Sequence, residues 1–302
     1  MKYAEVIHNA WSLTLESSKL KWFAFVPSVI AVIVFILEVA WQLFWYSKEF
    51  EFLDLGISFK NVKHFFSFLV ENGFLIWVIF LVIFIIIFAF VLPALIKATI
   101  LLTIRHKFEN PNEPIKIRKK VVEGLNYFFY LFEYKGMMAP FQFFTIAFFV
   151  ATMYRFYHGT IFDHLWPVVI VYFVFSIFVN IFLAFAPYFI VFENQNLGSA
   201  IKSSMSLVFL NFGKTLALIL LMFLVNFRVL INVLVVLGVP FGILLTVSYF
   251  AASGWFGFAL FVIIILGILA ILFASYLTAI LEIFLTAVWE RTFDSLIKES
   301  KA

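Results

Sequence analysis

Six apolar runs, at about residues 22–46, 74–104, 138–157, 165–192, 215–237 and 255–281, alternate along the chain with polar or amphipathic stretches. At about 1.5 Å of rise per residue, each run is long enough as a helix to cross a hydrocarbon core of about 30 Å. The run 74–104 is longer than one crossing needs, so tilt or a bend near Pro93 is expected to absorb the excess. Three of the intervening stretches carry apolar residues at helical spacing. In 3–16, Tyr3, Val6, Ile7, Ala10 and Trp11 face away from Glu5, His8, Asn9, Ser12 and Glu16. In 115–133, Val121, Leu125, Phe128 and Phe132 oppose Arg118, Lys119, Lys120, Glu123 and Asn126. In 197–212, Leu197, Ile201, Met205, Val208 and Phe212 oppose Ser199, Lys202, Ser203 and Ser206. The pattern predicts an all-α polytopic membrane protein, a single integral domain over 1–302, with six transmembrane helices and three interfacial amphipathic helices on the cytoplasmic side.

Two segments are less determined. Within 47–73, Phe59, Val62, Phe66 and Leu69 mark a short amphipathic helix, and 238–254 carries no charge, which leaves an outer loop, an interfacial helix or a re-entrant segment open. The order amphipathic helix, crossing, outer loop, crossing recurs near Tyr3, Ile115 and Leu197. Pro27 and Pro140 follow Lys21 and Lys135 at similar distances, and Pro93 and Pro187 fall late in the second crossing of their pairs. Three helix-hairpin repeats are one reading of this. The other is that any six-helix chain yields three hairpins.

Composition narrows the class. The chain is 65% hydrophobic and 13% charged with a mean hydropathy of +1.10, against about 25% charge in soluble domains. Sixteen Lys and Arg residues fall on the side of the termini and amphipathic helices, whereas only Lys48, Lys60, Lys63 and Arg155 fall on the other. This bias predicts a cell-membrane protein with both termini cytoplasmic. The basic stretch 105–120, including Arg118, Lys119 and Lys120, reads as a topology determinant beside anionic lipid, not as a nucleic-acid site.

Catalytic signatures are sparse. The absence of cysteine excludes disulfides, thiolate metal sites and a cysteine nucleophile. The chain has no HExxH motif, no phosphate-cradling glycine loop and no paired-aspartate signature. Ala251-Ala252-Ser253-Gly254 resembles an intramembrane serine protease motif, but no histidine base follows His164. His158, Asp163 and His164 share one short turn, where polar loop residues at a membrane surface are the simpler account than metal ligands. No enzyme, metal or cofactor is expected.

Glu38 and Arg228 are the ionisable residues furthest inside predicted crossings, both roughly 20–24 Å from the cytoplasmic ends at about 1.5 Å per residue. They are candidates for an intramembrane pair, with Arg155 a competing partner for Glu38. Asn180, Asn226, Asn232, Ser275, Tyr276 and Glu282 are further polar residues in or beside crossings, expected to form interhelical hydrogen bonds. Glu282 is expected near the cytoplasmic end, too far in depth from Arg228 to pair with it. Lys97 is expected to snorkel to the nearer interface.

The segments Ala186-Pro187-Tyr188-Phe189-Ile190-Val191-Phe192-Glu193-Asn194, Ala200-Ile201-Lys202-Ser203-Ser204, Asn211-Phe212-Gly213-Lys214 and Trp289-Glu290-Arg291 carry a resemblance. Together, residues 186–292 resemble the membrane domain found beside glycerophosphoryl diester phosphodiesterase domains, and related six-helix bacterial membrane families. The resemblance implies a membrane module without esterase activity, since the catalytic barrel of the fused proteins is absent. The expected function is non-catalytic, with a lipid-associated, envelope or assembly role. Its expected partners are membrane lipids, with a protein partner or a second copy also compatible, and no nucleic acid. The alternative is a small-solute or lipid transporter or channel using Glu38 and Arg228.

Overall fold

The computed structural model describes residues 3–50, 67, 70–71, 73–111, 113, 116–156, 160–248 and 256–301. Among them the chain is helical, with no strand. Helix α1 (Tyr3–Glu16) turns at Ser17 into α2 (Ser18–Phe50). Ser17 is the pivot: its N–H donates to Leu13 O, and its carbonyl accepts from the N–H groups of Leu20 and Lys21. There follow α3 (Leu75–Glu109), α4 (Ile117–Leu125), α5 (Phe128–Met138), a 3-10 turn (Ala139–Phe141), α6 (Phe143–Phe156) and α7 (Thr160–Phe182). The chain ends with α8 (Ala186–Phe192), α9 (Leu197–Leu210), α10 (Phe212–Ser248) and α11 (Phe256–Lys301).

Five stretches are long and apolar enough to cross a membrane: Ser18–Val39, Ile87–Glu109, His164–Phe192, Phe212–Val236 and Ile264–Ser300. A sixth is the pair Phe128–Phe141 and Phe143–Tyr154, bent by 45°. The six predicted runs thus have helical counterparts, with two differences in detail. The segment 115–133, expected as one amphipathic helix, is split at Asn126 and Tyr127, and its second half belongs to the bent crossing. Near the end of α4, Gly124 packs against α3 so closely that a Cβ would stand 3.1 Å from Thr99 Oγ1. The segment 238–254 is helical as far as Ser248, a continuation of α10. Phe59, Val62, Phe66 and Leu69 lie outside the described residues.

The packed core sits at one end of the bundle. One cluster joins Leu101 of α3, Leu131 of α5, Ile190 of α8, Val208 of α9 and Phe293 of α11. A second joins Leu13 of α1, Leu20 of α2, Ile104 of α3, Leu218 of α10 and Ile283 of α11. Phe293 is ringed by Phe185, Tyr188, Phe189 and Phe192 at centroid distances of 4.9–6.1 Å. Tyr3 donates to Lys214 O at 3.1 Å, and Lys214 is ion-paired with Glu299, so the start of α1, the start of α10 and the end of α11 share this end. Helix α11 has 46 residues, about 69 Å at 1.5 Å per residue. That is more than twice a hydrocarbon core, and its Glu290, Arg291, Asp294, Lys298 and Glu299 stand beyond the apolar length.

Away from that end many apolar side chains lie on the outside, as with Trp77 (71% exposed), Val171 (68%) and Leu224 (67%). Helices apolar on every side suit a lipid environment, where such faces need no protein cover.

The seat of α9 departs from the hydrophobic stripe. Its buried residues are Ala200, Ser204, Leu207 and Val208, while Met205 and Phe212 are exposed. Asn194, at φ 51°, turns the chain out of α8, and the side chain of Asn196 caps α9 by accepting from Ser199 N at 2.9 Å.

Candidate functional site: a polar hub where broken helices meet

A break in an apolar helix leaves backbone groups without partners, and in lipid each such group is costly unless a side chain reaches it. Three breaks here are closed by neighbouring helices. Pro93 lies inside α3 and lacks the N–H that would bond to Ala89 O, and Lys135 Nζ of α5 donates to that carbonyl at 3.3 Å. Between α7 and α8, Tyr134 donates to Leu183 O at 2.9 Å, while Ser204 Oγ donates to Phe182 O at 2.7 Å and accepts from Phe185 N at 3.2 Å. At the bend before α6, Tyr172 donates to Pro140 O at 3.0 Å and Asn180 to Phe141 O at 2.8 Å.

Two of these breaks adjoin a charged cluster. Lys97 Nζ donates to Thr286 Oγ1 at 2.7 Å and stands 3.7 Å from Glu282 Oε1, joining α3 to α11. Tyr188 of α8 donates to Thr286 O at 3.4 Å and is 3% exposed. Two ammonium groups, one carboxylate and two tyrosines thus link α3, α5, α8 and α11. The hub can hold the broken helices in register, and its surplus of one positive charge favours an acidic neighbour.

Several sequence candidates lie elsewhere. Glu38 and Arg228 are both exposed, on α2 and α10, and among the described residues no ion pair joins them. The side chains of Arg155 and Asp163 lie outside the described residues, as does His158; His164 is exposed on α7. Asn180 forms the interhelical bond expected of it, whereas Asn226 and Ser275 bond within their own helices, to Met222 O and Ile271 O. Asn232 is exposed. Glu282 has Lys97 as its partner, and Lys97 turns into the bundle instead of snorkelling outward. Lys120 and Lys119 pair with Glu123 on their own helix at 2.7 and 4.0 Å, and Arg118 is exposed beside them.

Lys135, Tyr134, Tyr188 and Ser204 did not emerge from the sequence as functional candidates. The usable signal was the prolines: subtracting four from 93 names carbonyl 89, which needs a donor from another helix, and subtracting four from 187 names carbonyl 183, which takes both Ala186 N at 3.1 Å and the Tyr134 hydroxyl. Gln42 was missed as well; its amide donates to Thr152 Oγ1 at 3.2 Å between α2 and α6.

The second feature is an apolar cleft of about 560 Å³ between α6 and α7, walled by Ile146, Ala147, Val150, Ala151, Val169 and Phe173. It presents almost nothing that can hydrogen-bond. No family model, curated protein or solved structure matches the chain.

Proposed function

We propose that this chain is a non-catalytic, multi-pass membrane protein with a lipid-associated role in the envelope or in assembly, both termini lying in the cytoplasm. The observation that carries the reading is the apolar cleft between α6 and α7, whose apolar lining suits an acyl chain and has too few polar groups to orient a polar solute. The polar hub supports it as a device that keeps the helices locked at the packed end while the other end stays open to lipid. The short motifs of residues 186–292 that resemble the phosphodiesterase-associated membrane domain favour the same role, and three amphipathic helices beside one end of the bundle suit an interface.

Native mass spectrometry of the detergent-solubilised chain tests this. Retained phospholipid adducts that survive activation are expected. A lipid-free protein that moves a small solute across proteoliposome membranes would overturn the reading.

A transporter or channel is the second reading, with Glu38 and Arg228 as its intramembrane charges. It is favoured by proline-broken crossings that meet at charged residues.

A further inference from the structure

Where α1, Ser17, the end of α3 and the polar part of α11 meet, they line an open cavity of about 210 Å³. One water occupies about 30 Å³ of liquid, so the space admits a group of several heavy atoms. Its walls include Arg291, Lys107, Asn9, Ser12, Ser17 and Glu16. Arg291 is stacked on Phe108, its guanidinium carbon 3.7 Å from the ring centroid, which fixes the plane of the fork. Lys107 spends one N–H on Pro111 O at 2.6 Å and keeps two. Among the described residues neither cation has a carboxylate within ion-pair distance. The wall's carboxylate, Glu16, accepts from Ser12 at 3.0 Å.

On the far side of Arg291 a second cavity, of about 410 Å³, serves as contrast. Its Lys298 is paired with Asp294 at 2.6 Å and its wall also holds Glu5, so its charges balance. Of these two cavities, among the described residues, the smaller combines two cations outside any ion pair with the Asn9 amide and the Ser17 hydroxyl. A carboxylate ligand has two oxygens to satisfy; a phosphoryl group has three, and matches a guanidinium fork, an ammonium and several neutral donors.

We propose that the smaller cavity binds the phosphoryl group of an anionic phosphate ester, with Arg291 and Lys107 on its oxygens and Asn9 and Ser17 completing the shell. A membrane lipid headgroup and a free phosphate share this chemistry. The site deepens the lipid-associated role and rests on it for the lipid source alone.

The test is thermal unfolding of the full chain in uncharged detergent. One arm adds dioleoyl phosphatidic acid against dioleoylglycerol, and the other adds inorganic phosphate against sodium chloride at equal ionic strength. A saturable rise in Tm is expected in at least one arm: with phosphatidic acid alone for a headgroup site, with inorganic phosphate as well for a free phosphate. Arg291→Gln and Lys107→Gln should each weaken the apparent affinity about tenfold or more, as for loss of one charge-assisted bond. Lys119→Gln should leave it unchanged, and Glu16→Gln should strengthen it by removing the competing negative charge. If Arg291→Gln fails to fold, Lys107→Gln and Glu16→Gln decide. Absence of a saturable rise in both arms, or equal rises in the parent and Lys107→Gln, overturns the site. Tight phospholipid adducts in native mass spectrometry would then leave the broader lipid-associated role standing.

Discussion

Lys135 Nζ donates to Ala89 O across 3.3 Å, and Ala89 is the residue whose carbonyl loses its helical partner because Pro93 has no N–H. The preceding residue, Tyr134, donates to Leu183 O, which also accepts from Ala186 N at 3.1 Å where the chain breaks between α7 and α8. Two adjacent residues of one helix thus repair breaks in two others. An ammonium group inside an apolar bundle is costly by itself, and here the break supplies the acceptor that offsets the cost.

Lys135→Met keeps the length of the side chain and removes the donor. It should destabilise the protein by about 1–3 kcal/mol, the usual penalty for an abandoned buried acceptor. Pro93→Ala restores an N–H for Ala89 O, so Lys135→Met in that background should cost distinctly less. Chemical denaturation of the four proteins in detergent gives the coupling energy, and a value near zero would show that the two positions act independently.

Ser204 is fully buried and has a partner on each side of the break between α7 and α8. Ser204→Ala removes both bonds and leaves Phe185 N and Phe182 O without that partner, for an expected loss of about 1–3 kcal/mol. Ser203→Ala, one position away on the same helix and outside this network, is the control and should stay within about 0.5 kcal/mol. Equal midpoints for the two variants would remove Ser204 from its assigned role.

Lys97 and Glu282 are 32% and 36% exposed, which places their pair between a surface and a buried ion pair. Each single neutralisation, Lys97→Met or Glu282→Gln, should cost about 1 kcal/mol or somewhat more, and the double change should cost less than the sum. Additive losses in thermal unfolding would mean that Lys97 is held by Thr286 alone.

Run length and helical period are local properties, and they made the six apolar stretches, α1 and most of α9 legible: 3–16 was expected and Tyr3–Glu16 is found, 197–212 was expected and Leu197–Leu210 is found. What periodicity could not give was rotation. Ala200 and Ser204 are poor hydrophobic markers, yet they are buried because small residues allow α9 to approach the break it closes. The split of 115–133 lies beside Gly124, which packs against Thr99, a residue on another helix. Depth was likewise insufficient for Glu38 and Arg228: similar distances along two helices do not bring two side chains to the same face. Lys97 and Glu282 belong to the second and sixth apolar stretches, and only tertiary packing brings them together.

The cleft between α6 and α7 offers a direct challenge to the lipid-associated role. Ala147 and Ala151 line its wall one helical turn apart, and a larger residue there would occupy the space while remaining apolar. Ala147→Trp should therefore leave thermal stability within about 1 kcal/mol, since the cleft is open and need not overpack. It should nevertheless reduce the number of phospholipid adducts retained in native mass spectrometry. Ala147→Ser, which keeps the volume of the cleft, should retain the parental number. If the tryptophan variant carried as much lipid as the parent, the bound lipid would have to sit elsewhere. The packed end, with its amphipathic helices and the Arg291 cavity, would then be the place to look, and lipid would bind chiefly through headgroup chemistry instead of through an acyl chain held between the two helices.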